Sequence, residues 1–313
     1  MDFALAAQKE VFRLRNKLLA HELADIWGCP HTGHGMAKYA LDQGLIKGCG
    51  PHNRFYGNLD GTAIRGSLLS ILVLRFPKLQ RVLNNPLWLA LHEGDLVFLE
   101  AVVETLRVGP SARFPGISSE NMRRLCGVPS WERMGVLLLL LRTHSSRYFI
   151  HRVWLARNFT AYFALACLQS PFRHVALGAY LLVDRVLRPI TIDGEGVMDW
   201  PSSVEEFQRY VDHLTLLADR LLTNGWAKQM DDRGVLLLWM ALLSDKYVSY
   251  LCAHTQHVRG DRMPAALRMA LNREVVYLKE AGLSLGGLES VKFSKPRQPR
   301  GAGLVDLPSD GRS

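Results

Sequence analysis

One cysteine and two histidines fall within six residues near the start of the chain, as Cys29, His31 and His34 in CPHTGH, and Cys49 and His52 follow soon after. Thiolate sulfur and imidazole nitrogen are ligands that zinc prefers, and four of them close a tetrahedral site. Cys29 with His34 makes a C-x4-H pair, and Cys49 with His52 a C-x2-H pair. The 14 residues between the pairs, 35–48, carry a helical pattern ending at Gly44. Small zinc fingers usually take one ligand pair from a loop and the other from a helix end, so this spacing fits them poorly. The same letters recur as CAHTQH at Cys252, His254 and His257, inside a helical pattern where residues five apart point in different directions. A zinc site at Cys29, His34, Cys49 and His52 therefore stands as the alternative to a chain that holds no cofactor.

Other chemistry is sparse. Asp193, Glu195 and Asp199 have the ligand type for a magnesium ion, but such a run equally suits a solvated loop before a capped helix. Gly28 and Gly33 have the glycine spacing of a phosphate loop, yet His34 stands where its lysine is required. No titratable pair stands out as acid and base. An enzyme is the less favoured class.

Charge is distributed unevenly over the 313 residues, which carry a net +9. Residues 123–188 hold ten arginines, no lysine and only two acids, Glu132 and Asp184, which places +8 in that block. Guanidinium binds phosphate bidentately and sheds water more readily than ammonium, so an arginine-only block suits nucleic acid. The competing account has the arginines scattered over several helices, covering core or pairing with carboxylates elsewhere.

Two turns look alike, and the second stands at the entrance to this block. Gly28 follows Ala24 by four residues, with Leu23, Trp27 and Cys29 supplying apolar contacts. Over roughly residues 12–60 this resembles the helix-turn-helix superfamily, including its winged forms, in which the second helix meets base edges. The resemblance implies that Thr32, His34 and Lys38 lie near a groove and that a wing forms near 52–62. The pattern departs at Gly33, His34 and Gly35, because each glycine costs a helix about 1 kcal/mol relative to alanine. Gly127, Val128 and Pro129 repeat the turn, with Ser130 as an N-cap. Here the exposed candidates are Arg124, Ser130, Trp131 and Arg133, continued by Arg142 and Arg147.

The elements that must position these residues are helical. Apolar spacing predicts helices over 3–19, 20–27 and 36–43, and Pro77 and Pro86 divide the next run into short pieces. Asp95 reads as the cap of a helix to Arg107, and GPSARFPGISS as a loop and a domain boundary near residue 115. Helices follow over 119–125, 130–143, 145–168 and 173–187. Ser203 with Glu206 forms a capping box before another, and 232–257 and 264–281 complete the set. The fold class is mainly α, with at most a small β-hairpin, in an N-terminal helical domain (1–115), a helical domain (116–293) and a disordered tail (294–313).

No apolar run approaches the roughly 18–20 residues that cross a bilayer, and the start lacks a secretory pattern. The five cysteines are odd in number and dispersed, which suits reduced thiols and a cytoplasmic location. The expected function is duplex DNA binding, as a regulator or replication initiator, with arginine on phosphate and a possible homo-oligomer. The alternative is a helical scaffold that docks an acidic protein.

Overall fold

Val11, Leu14, Leu18, Leu23 and Trp27 keep one apolar face without a break, and the computed structural model merges the first two predicted helices into α1 (Asp2–Trp27). The structure describes residues 2–46, 52–92, 96–105, 119–190, 198–254 and 262–280. Gly28 ends α1 in the left-handed region, at φ +62°. Its N–H donates to the Asp25 carbonyl at 3.1 Å, and the Cys29 N–H donates to the Ala24 carbonyl at 3.1 Å. These two bonds are a Schellman stop, which needs a residue without a Cβ penalty at Gly28.

The second helix starts earlier than its glycines suggested. α2 (Gly33–Asp42) is capped by Thr32, whose side chain accepts from the Gly35 N–H at 3.1 Å. Packing explains the glycines: a Cβ on Gly33 would lie 2.5 Å from the Tyr56 ring, and one on Gly35 2.9 Å from the Pro30 carbonyl. The expected wing near 52–62 is corrected to a helix, α3 (His52–Leu59). Phe55 and Asn58 are both buried at helical spacing, and Phe55 meets Trp27 edge-on at 5.9 Å between ring centres. Residues three apart share a helix face, whereas a strand would send them to opposite faces.

Pro77 and Pro86 break the chain as expected, giving α4 (Gly66–Arg75), α5 (Leu79–Leu83) and α6 (Pro86–Ala90), with α7 (Leu96–Thr105) after them. α8 (Ser119–Cys126) leads into α9 (Trp131–Arg142), which is buried along nearly its whole length. A helix apolar on every side must sit inside others. α6, α7 and α10 (Phe149–Cys167) surround it.

A 3₁₀ turn at Phe172–Val175 joins α10 to α11 (Ala176–Leu187), and that turn packs on α1. α12 (Val204–Thr223) begins as expected, with Ser203 accepting from the Glu206 N–H at 3.2 Å. The return bond of the box comes one residue early, because the Glu206 carboxylate accepts from the Ser202 N–H at 2.7 Å. The helix expected over 232–257 is divided at Leu243 and Ser244 into α13 (Asp232–Leu242) and α14 (Asp245–His254); α15 (Ala265–Glu280) follows.

One continuous core runs from Val11 on α1 to Leu278 on α15. Packing of α6 and α7 on α9 thus spans the segment where the sequence suggested a boundary, and residues 106–118 themselves lie outside the described residues. The predicted tail, 294–313, also lies outside them. The chain is mainly α, and among the described residues there is no strand. No helix among them is long and apolar enough to cross a membrane.

Candidate metal centre

His21 and Asp25 stand one turn apart on α1, so their side chains share a face. The Schellman stop at Gly28 turns the chain back, and His31 folds over the last turn it has just left. Its Nε2 lies 2.9 Å from Asp25 Oδ1, and its Nδ1 lies 2.9 Å from His21 Nδ1. Ser170 Oγ donates to the other carboxylate oxygen, Asp25 Oδ2, at 2.6 Å. His174 arrives on the 3₁₀ turn, where Phe172 and Val175 are anchored in the core while Arg173 and His174 face outward.

The three imidazoles have two kinds of contact. His21 and His31 have ring centres 5.2 Å apart and planes within 22°, yet their nitrogens are only 2.9 Å apart, so the rings meet edge to edge. His174 lies over both, with ring centres 4.4 Å from His21 and 4.2 Å from His31. One ligand nitrogen from each residue can be chosen so that all three lie within 4.8 Å of one another.

Hydrogen-bond logic assigns the protons. A carboxylate only accepts, so His31 Nε2 carries a hydrogen toward Asp25. Between the two Nδ1 atoms one ring donates and the other accepts, according to the tautomer. Burial brings the His21 pKa down to about 4, helped by His174, His31 and Lys17 and opposed by Asp25. The His174 pKa is also lowered, first by burial and then by His31 and Arg173. Both effects favour uncharged rings, the form that binds metal.

The ligand set suits a first-row transition metal. Imidazole nitrogens about 2.0–2.1 Å from zinc in a tetrahedron are roughly 3.3 Å apart. The His21 and His31 rings, which now face each other nitrogen to nitrogen, would both have to tilt to converge on one ion, and exposed His174 would have to rotate from its stacked position. Asp25 is already placed as the carboxylate that orients a metal-bound histidine through its second nitrogen.

The expected nucleic-acid residues are placed differently from one another. Thr32, His34 and Lys38 are exposed at the start and on the surface of α2. Ser130 is half-buried at the N-cap of α9, and Trp131, expected at the surface, is buried. Arg133 is only 5% exposed and donates to the carbonyls of Arg124 and Leu125 at 3.0 and 3.3 Å, near the end of α8. Arg142 is 8% exposed and donates to the carbonyls of Ala90 and His92 at 2.7 and 2.6 Å, just past α6. In each case one guanidinium nitrogen, Nη1, donates to two carbonyls at or just past a helix end. Arg147 is exposed but pairs with Glu104 at 2.7 Å, and Arg124 donates to the Tyr277 hydroxyl at 2.9 Å. Of the basic block, Arg133 and Arg142 are thus corrected from surface phosphate ligands to interior braces.

Of the four residues the sequence offered for zinc, Cys29 and His34 have described side chains. Cys49 lies outside the described residues, as does the His52 side chain. Cys29 is half-buried, and burial raises its thiol pKa. Asp193 and Glu195 lie outside the described residues, while Asp199 is exposed. His31 was legible as a ligand type, but its partners are His21 and His174, which local spacing does not bring together. The one signal for His21 was its place four residues before Asp25 on a helix.

No protein-family model, no curated protein and no solved structure matches the chain.

Proposed function

We propose that this protein binds a divalent first-row transition metal, zinc foremost, through His21, His31 and His174. The observation that carries this is the convergence of three histidine nitrogens within 4.8 Å, with Asp25 bonded to the far side of His31. Three protein ligands leave a fourth position open, the arrangement of catalytic rather than purely structural zinc. An ion held by these three residues would supply Lewis acidity toward a water or a ligand oxygen. A metal held there would need the hydrogen between the two Nδ1 atoms to move to His21 Nε2 or to leave to solvent.

Titration of the full chain with zinc, followed by calorimetry, tests this directly. One ion per chain is expected, and cobalt(II) should give the visible absorption of a tetrahedral nitrogen site. His21→Ala, His31→Ala and His174→Ala should each lower affinity by roughly tenfold or more. Zinc binding that is unchanged in His174→Ala would remove the three-histidine reading.

A second reading, duplex DNA binding, is favoured by one observation: α1 turns at Gly28 into the short α2, at whose start and surface Thr32, His34 and Lys38 are exposed. It does not draw on Arg133 or Arg142, whose guanidinium groups are engaged inside the fold. Lys38→Ala should weaken binding of a fluorescent duplex and reduce its salt dependence. Affinity that is flat from low to moderate salt would exclude this reading.

A further inference from the structure

A cavity of about 660 Å³ reaches the cluster at His174, the one of the three histidines that lines it. That volume holds a molecule of several heavy atoms. Leu14, Phe207, Val211 and Met230 give it apolar walls. Its cations cluster on the histidine side: Arg173 adjoins His174, and Lys17 lies one turn before His21 on α1. The α12 wall contributes Asp212 and Asp219, and Asp212 accepts from Gln208 Nε2 at 2.9 Å.

We infer that this cavity binds a small monocarboxylate with an apolar tail, its carboxylate reaching the open position of the metal and the Lys17 ammonium. The inference rests on the metal reading above. A dipositive ion together with Lys17 and Arg173 outweighs the two aspartates, so an anionic head belongs on the histidine side. The tail lies along Phe207, Val211 and Met230, where removing its apolar surface from water adds affinity. Asp212 and Asp219 select against a second negative charge. Selection therefore combines one negative charge, one metal-seeking oxygen pair and a body of limited length.

Calorimetry of the zinc-loaded full chain with sodium hexanoate tests the assignment, alongside metal-free protein, hexylamine and inorganic phosphate. Hexanoate should bind the zinc form, and removing zinc should weaken it by roughly tenfold or more. Lys17→Met should weaken hexanoate by about fivefold or more, as expected for a lost charge-assisted contact. Val211→Trp, which fills the cavity, should abolish hexanoate binding and leave zinc affinity in place. Rescue of the interpretation against misfolding comes from zinc binding and thermal unfolding measured on the same variants. Hexanoate binding that ignores zinc, or tighter binding of hexylamine or phosphate, would overturn the inference. Full zinc affinity without hexanoate binding would overturn it while leaving the metal site standing, whereas no zinc binding would overturn both.

Discussion

His21 and His31 face each other through their Nδ1 atoms at 2.9 Å, so a single proton is shared where two would repel. Asp25 anchors the far edge of His31, because its carboxylate takes the Nε2 hydrogen of that ring at 2.9 Å. A metal ion held there would need the hydrogen between the two Nδ1 atoms moved to His21 Nε2 or released to solvent. From this relationship several properties of the protein can be measured.

Asp25→Asn keeps the size of the side chain but removes the negative charge that orients His31. Zinc affinity should fall by roughly 10–100-fold, the usual effect of losing such a carboxylate partner. Ser170→Ala, which removes only the hydrogen bond to the second oxygen, should have a smaller effect. Calorimetry on both variants separates orientation from simple loss of folding, which circular dichroism would report.

Acid should weaken the fold through His21. Its pKa is lowered from 6.5 to about 4, chiefly by burial, so the folded state binds this proton less well than the unfolded state. The stability this contributes is present above pH 6.5 and is lost as pH falls toward 4. Thermal unfolding should show a decline in Tm over that window, and His21→Phe should flatten it. An unchanged pH profile in the variant would assign the decline to other groups.

Glu22 works in the opposite direction. Burial first, then Glu132 and Asp25, raise its pKa to about 7. A carboxyl whose folded pKa lies above its unfolded value favours the fold at low pH, and that contribution is lost as pH rises through about 7. Glu22→Gln should therefore raise Tm at pH 8 and change it little at pH 4.5. Zinc affinity, measured in parallel, shows whether the stabilised protein keeps its site.

Arg142 braces the end of α6 from inside the protein. Arg142→Met should leave the carbonyls of Ala90 and His92 without their donor and cost about 2 kcal/mol of stability. The same substitution should not alter the salt dependence of any duplex binding, because the guanidinium is not at the surface. Chemical unfolding and fluorescence anisotropy together test both halves of this statement.

Gly28 controls where His31 goes. Its φ of +62° penalises any side chain, although nothing lies within 4 Å of a Cβ placed there. Gly28→Ala should thus cost about 1–2 kcal/mol through backbone strain alone. Zinc affinity should fall with it if the turn yields, since His31 depends on that turn for its position. Gly28→Asn, which tolerates the left-handed region better, should recover part of both losses.

Local chemistry determined much of the chain by itself. Apolar spacing marked the helices, Pro77 and Pro86 marked the breaks, Ser203 marked the start of α12, and Gly28 marked the end of α1. These signals act within a turn or two of backbone, so no distant partner is needed to read them. The wing failed because Phe55 and Asn58 are buried by neighbouring helices, a fact outside their own stretch.

Tertiary structure decided what the charged and ligating residues do. Ten arginines in one block look the same in sequence whether they reach solvent or, as Arg133 and Arg142 do, cap helices inside. His31 announced itself beside Cys29, but its partners came from the turn before and from a segment far along the chain. Only the packing of α1 against Phe172–Val175 brings His174 over His21 and His31, because side chains distant in sequence meet through the shared core.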